Sequence, residues 1–259
     1  MSIHSIGIIG GGRVTGIILG GFKAAGVSLP SVVVSDLNAE TLNALRAAFP
    51  QIAPAGADNT KPAAQQLVLL AVHPPAMNGV LSGIKAALKP DAMLVSLAPK
   101  FTMAKLSELL GGFTRLARMI PNAPSLIGAG YNPMAFSPGL AAVDRQALAA
   151  LFAPLGECPE VAEAKLEGFA LLTGMGPTYL WFQLQPLRGL AESFGLTGAD
   201  ITPALKRMVC GATRTLLESG LSPAEVMDLI PVKPLAEDEA TIKQAYQTRL
   251  PALFAKIKP

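Results

Sequence analysis

Three consecutive glycines, Gly10, Gly11 and Gly12, stand between the apolar run Ser5–Ile9 and a helical pattern that opens at Arg13 and Val14. Such a turn can receive a phosphate anion. The first glycine permits a tight turn after a strand, the second lets a pyrophosphate approach the backbone, and the helix start offers unpaired N–H groups. Gly10 and Gly12 fill the first two roles, while the third small position is Thr15, with Gly16 beside it. Asp36 closes the run "SVVVSD" about 20 to 25 residues further on, where an acid that holds a ribose is expected. Its carboxylate can accept from both ribose hydroxyls and repels a 2′-phosphate. No Arg or Lys lies at 37–41 to hold that phosphate, although Ser35, Asn38 and Asn59 could form a polar pocket for it. The cofactor is therefore NADPH or NADH, with a lean to NADH. Asn122, in "MIPNAP", puts an amide after a strand end, where open α/β sheets bind ligands. The same turn can equally use Asn122 as its Asx residue.

These residues need a frame, and the chain supplies one. After the first strand and helix come "SVVVSD", the one-faced leucines of "NAETLNALRAAF", and the continuous apolar run "QLVLLAV". Uninterrupted runs of that kind suit strands buried on both faces. "HPPAMNGVLSGIKAAL" predicts a helix that begins at its prolines. "AMLVSLA", "TMAKLSELL" and "TRLARMI" then predict a strand, a helix and a strand. The fold class is α/β, a Rossmann-type doubly wound parallel sheet. The alternation stops near 157–162, and the remainder of the chain reads as helical. Pro186 is expected to kink one helix. "TPALKRMVCGATRTLLESG" is expected to start with Thr202 as cap and Pro203 in its first turn. Ser222 and Glu225 form a capping box for a third helix. The expected domains are 1–160, the dinucleotide-binding sheet, and 161–259, an all-helical domain.

Composition narrows the function class. Hydrophobic residues make up 51% and charged residues 15%, with aromatics at 5%, the mixture that fills helix-on-sheet layers. A formal charge of +3 with scattered Lys and Arg gives no footprint for nucleic acid or an anionic membrane surface. Cys158, Cys210, His4 and His73 fit no metal spacing, so no metal is expected. Three glycines interrupt the apolar start of the chain, and Arg13 lies in its middle. It reads as strand, turn and helix rather than a signal or membrane segment, so the expected location is cytoplasmic.

Taken in order, "IGIIGGGRVTGIILGG", "LLAVHPPAMNGVL", "SLAPKFTMAKLSELLGG", "RMIPNAPSLIGAGY", "LTGMGPTYLWF" and "GATRTLLESGLSPAEVMDLI" resemble the pyrroline-5-carboxylate reductase family along essentially the whole chain. The resemblance implies a helical dimerisation domain after the Rossmann domain, with interdigitated helices and each site completed by the partner copy. It implies hydride transfer from NAD(P)H to a cyclic imine, with proline as product. The family's pyrophosphate loop matches residues 10–14, with Arg13 in place of Asn. Its Ala-Val-Lys-Pro matches Ala71, Val72, His73 and Pro74, and its Ser-Ile-Ala-Ala-Gly matches Ser96, Leu97, Ala98, Pro99 and Lys100. Its Pro-Asn-Thr-Pro matches Pro121, Asn122, Ala123 and Pro124.

The helical half departs further. Ser-Gly-Ser-Gly-Pro-Ala-Tyr matches Thr173, Gly174, Met175, Gly176, Pro177, Thr178 and Tyr179. Ser-Pro-Gly-Gly-Thr-Thr, which grips substrate carboxylate and imine nitrogen in the family, falls on "VKPLAE" at 232–237. Each lost donor to a desolvated carboxylate costs roughly 1–3 kcal/mol. Lys100 or Lys233 could supply a charge instead, with Met175, Gly176 and Pro177 beside the substrate. A β-hydroxyacid dehydrogenase would need Lys and Asn four apart on a helix after the sheet, and no such pair is present. A deazaflavin-dependent NADP reductase shares the first domain without the long helical one. A relative with another substrate, or a nucleotide-binding protein that no longer catalyses, is the alternative.

Overall fold

The apolar run ahead of the glycines forms the first strand of a sheet covered on both faces. In the computed structural model, which describes residues 3–259, the strands are β1 (Ser5–Ile9), β2 (Ser31–Ser35), β3 (Ile52–Pro54), β4 (Leu67–Leu70), β5 (Met93–Ser96), β6 (Leu116–Met119), β7 (Gly130–Tyr131), β8 (Met134–Phe136) and β9 (Gly156–Glu157). The main sheet runs β3-β2-β1-β4-β5-β6-β8. Its pairings are parallel except β8, which returns antiparallel on β6 with Arg118 opposite Ala135. Strands β7 and β9 form a small parallel pair.

Because side chains alternate across a strand, one apolar run feeds two cores. Ile6 and Ile8 of β1, with Leu67 and Leu69 of β4, join Ile18 and Phe22 of α1 (Arg13–Ala24) on one face. Ile9, Val68 and Leu70 join Met77 and Leu81 on the other. The remaining helices of this part are α2 (Ala39–Ala48), α3 (Thr60–Ala63), α4 (Met77–Ile84), α5 (Met103–Leu109), α6 (Ala142–Phe152) and α7 (Leu166–Phe169). Asn38 caps α2 by accepting from the Glu40 and Thr41 N–H groups. At Gly7 a Cβ would overlap the Pro62 carbonyl, so glycine is what lets α3 lie against β1.

Beyond these lie α8 (Pro177–Ser193), which contains Pro186, α9 (Gly198–Glu218), α10 (Pro223–Asp228) and α11 (Glu239–Ile257). The expected start of α9 at Thr202 is corrected. Thr197 is the cap, and its N–H donates to Asp200 Oδ2 at 2.9 Å in a capping box. That reciprocal pair supplies a better start than Thr202, and Pro203 lies inside the helix at the loss of one backbone bond. The box at α10 is as expected: Ser222 N–H donates to Glu225 Oε2 at 2.8 Å, and Glu225 N–H to Ser222 Oγ at 3.3 Å.

Two compact units result, Met1–Met175 with Phe254–Pro259, and Gly176–Leu253. The sequence places its domain boundary at 160. Residues 161–175 and 254–259, beyond that boundary, belong to the first unit. Among the described residues, Ile201 is the only buried hydrophobic residue of the second unit. Among the described residues no helix is long and apolar enough to cross a membrane, and no group of His, Cys, Asp and Glu has the makings of a metal site.

Candidate functional site

The glycine turn is built as its residue types demand. Gly10 has φ +104°, and a Cβ there would sit 2.6 Å from the Ala71 carbonyl oxygen, so a side chain is excluded twice over. Its N–H donates to Ser35 O at 2.8 Å, and its carbonyl accepts from the buried Thr15 hydroxyl at 2.5 Å. Gly11 N–H donates to Asp36 Oδ2 at 2.7 Å, and Asn38 N–H donates to Asp36 Oδ1 at 2.8 Å. Asp36 therefore braces the turn while keeping spare lone pairs. Helix α1 begins at Gly12 without a side-chain cap, and open space faces both Gly12 and Gly16. A cleft of about 570 Å³ lies here, bordered by Gly11, Gly12, Arg13, Gly16 and His73. Ser35 and Asn59 are bonded to one another, Oγ to Oδ1 at 2.7 Å.

A second cavity, of about 240 Å³, opens at the carboxyl edge where β4 sits beside β1. This is the point at which the strand order reverses, the usual ligand crevice of an open sheet. Val14 lines it from α1, and Ala71, Val72, His73 and Pro74 line it from the end of β4. Ala98 and Pro99 come just after β5, Ile120 and Pro121 just after β6. The last wall is Ala170, Gly174 and Met175, where the chain makes a π-helical turn over Ala170–Gly174. His73 borders both cavities and, among the described residues, is the only ionisable side chain lining this one.

Asn122 does not point an idle amide at the crevice. It is 8% exposed. Its Nδ2 donates to Thr173 O at 3.2 Å, and its Oδ1 accepts from Tyr131 N–H at 3.2 Å. The residue ties the loop after β6 to the π-helical turn. Sequence reasoning missed the brace next to it. Arg118, fully buried in mid-β6, pairs with Glu163 at 3.1 Å and Glu167 at 2.5 Å. Glu163 Oε1 accepts from Met103 N–H at 2.6 Å, and Glu167 Oε1 accepts from Lys100 N–H at 3.2 Å. One signal was available: an arginine inside "LARMI" cannot be buried without anionic partners. Arg118 Nε has no partner among the described residues. Lys100 has φ +78°, the left-handed region, which costs a non-glycine residue roughly 1–2 kcal/mol.

The other substrate candidates fall in the second unit. Gly176 and Pro177 start α8 in the second unit. Lys233 is exposed in a turn where its carbonyl accepts from Ala236 N–H at 3.1 Å. The Glu239 carboxyl is held below its usual range, first by a hydrogen bond from Lys243 and in smaller part by the charge of Lys233. Lys233 thus has an acidic neighbour of its own.

Residues 5–100 match the family described as NADP oxidoreductase coenzyme F420-dependent. The chain is 27% identical over 245 residues to a pyrroline-5-carboxylate reductase of Pseudomonas aeruginosa, covering 94% of this chain and 89% of that one. A solved pyrroline-5-carboxylate reductase from Coxiella burnetii superposes with a TM-score of 0.68 at 25% identity, covering 99% of this chain and 95% of that one. The NADP-bound pyrroline carboxylate reductase of Plasmodium falciparum gives 0.72 at 18% identity, over 98% and 94% of the two chains, and bears on the fold.

Proposed function

We propose that this chain, a divergent member of the pyrroline-5-carboxylate reductase family, is an NAD(P)H-dependent reductase that acts on the C=N bond of a cyclic imine in proline-forming chemistry. The observation that carries the reading is the pair of cavities that share His73, one beside an uncapped helix start and the other apolar.

A dinucleotide fits that pair. The first turn of α1 would receive the pyrophosphate, with Arg13 adding positive charge and no side chain obstructing Gly12 or Gly16. Asp36, already oriented by Gly11 and Asn38, would accept from ribose hydroxyls, which supports NADH over NADPH. A nicotinamide held there would supply hydride chemistry, its hydride going to the carbon of a C=N bond already protonated on nitrogen, which leaves a secondary amine. The chain's own task is then positional. Val14, Ala98, Pro99 and Ile120 would offer apolar surface to a bound ring, and Gly174 and Met175 would stand as the wall against which it lies. His73 would hold the cofactor where its two cavities meet.

In this reading residues 1–160 form the dinucleotide domain and 161–259 the domain for substrate and dimerisation. A homodimer through the second unit is supported by its exposed Phe182, Phe194 and Leu217. The two free thiols support a cytoplasmic location. The glycine-free turn at 232–237 favours a second reading, a nucleotide-binding protein without turnover.

Cofactor oxidation decides between them. Purified protein is assayed with NADH and NADPH against pyrroline-5-carboxylate and unsubstituted 1-pyrroline. Turnover at about 1 to 1000 per second is expected with NADH. Tight cofactor binding with no oxidation in the presence of either imine would sink the reductase reading.

A further inference from the structure

We infer that Lys100 binds the carboxylate of the substrate, so that this site takes a cyclic imine carrying an anionic group; the inference rests on the reductase reading above. Lys100 is the only described non-glycine residue with positive φ. Glycine would adopt that backbone without strain, so the side chain is kept at a conformational penalty. Strain of this kind gathers where the side chain is in use.

Its position says what that use is. Lys100 comes directly after Ala98 and Pro99, which line the apolar cavity. Its N–H is bound to Glu167, at the start of the segment that leads to Ala170, Gly174 and Met175 on the opposite wall. Lys100 is therefore one residue beyond the cavity lining, in a loop whose backbone Glu167 ties to the segment that leads to the opposite wall. Both nearby carboxylates, Glu163 and Glu167, are engaged by Arg118. The Lys100 ammonium is exposed and makes no ion pair among the described residues. Apart from His73, the cavity lining carries no ionisable side chain among the described residues. A single cation outside every described ion pair, one residue along the chain from the Pro99 wall of an apolar cavity, complements a ring with one carboxylate. Lys233 is a weaker claimant, because none of its neighbours along the chain lines the cavity.

The test compares Lys100→Met, Lys100→Gly and Lys100→Arg with wild type on pyrroline-5-carboxylate and on 1-pyrroline, which lacks the carboxylate. Lys100→Met is expected to raise KM for pyrroline-5-carboxylate roughly tenfold, the size of one charge-assisted contact. Its kcat, its cofactor KM and its kinetics on 1-pyrroline should stay at wild-type values. Lys100→Arg should restore most of the lost affinity. Lys100→Gly should lose the same affinity while raising Tm, since it relieves the backbone. An unchanged KM for pyrroline-5-carboxylate in Lys100→Met, or an equal loss on both imines, overturns the inference. If wild type reduces neither imine, the reductase reading fails and calorimetry with cyclopentanecarboxylate judges Lys100 alone. Binding that is lost in Lys100→Met upholds the site, and binding that is absent or unaltered overturns it.

Discussion

The two compact units are stabilised on different terms. The first packs aliphatic side chains on both faces of a seven-stranded sheet, and even its buried charge, Arg118, has two carboxylates to meet it. The second buries Ile201 and leaves Phe182 at 69%, Leu217 at 75% and Phe194 at 76% exposed. At roughly 25 cal/mol per Å² of apolar surface removed from water, a unit that hides so little gains little from folding by itself. The difference teaches that the sheet unit carries its own stability and prepares the crevice. The helical unit leaves its large apolar side chains exposed, and in our proposal a second copy covers them.

The largest effect should come from the brace in the first unit. Arg118→Met leaves Glu167, almost fully buried, without its cation. The loss should be about 3–5 kcal/mol, read as a lower urea midpoint. A loss near zero would break the comparison, because the buried charges would then be incidental to the unit's stability. Next is Gly10→Ala, which forces a Cβ against the Ala71 carbonyl at a residue with φ +104°. Dinucleotide affinity by fluorescence titration should fall about 100-fold, roughly 2.8 kcal/mol. Unchanged affinity would mean the turn does not hold the cofactor.

The same physics decides which parts of the molecule were legible in the sequence. Long apolar runs announced β1, β4 and β5, since burial on both faces leaves few polar residues to confuse the pattern, and β6 was legible despite Arg118 because its other residues are apolar. Strand β3, three residues at the sheet edge with two exposed, and β8, paired on one side only, carry too little pattern to register. Gly10 and Asp36 were legible because backbone geometry dictates their types. The partners of Arg118 were not, as Glu163 and Glu167 lie some 45 and 49 residues away in sequence. The left-handed conformation of Lys100 had one signal, since the family motif it resembles carries Gly at that position. The conformation itself is fixed by the loop between β5 and α5 and by the Glu167 acceptor.

On the helical side of the comparison, Phe194→Asp should leave the urea midpoint of the sheet unit within about 0.5 kcal/mol. It should weaken self-association by about 2 kcal/mol if Phe194 is an interface anchor. Light scattering across a dilution series reads this directly. A wild-type chain that remains monomeric at every concentration would rule out a second copy as the cover.

The smallest effect is the sharpest discriminator, because each unit carries one thiol. Cys158 lies half-buried in the first unit, with its Sγ near the Phe152 and Gly156 carbonyls. Burial pushes its pKa up, and the Asn132 side chain offsets this only in part. At pH 8 its thiolate fraction is therefore below that of an ordinary cysteine, and alkylation should accelerate as pH climbs past the usual thiol range. Cys210 is exposed on α9 in the second unit. Iodoacetamide at pH 8, with mass spectrometry as the readout, should then label Cys210 well before Cys158. If Cys210 lies outside the covered surface, that order holds at every protein concentration. If a second copy covers it, Cys210 labels fast in dilute protein and slows as concentration rises, while Cys158 keeps one rate throughout. A concentration dependence at Cys158 instead would assign the covering surface to the wrong unit.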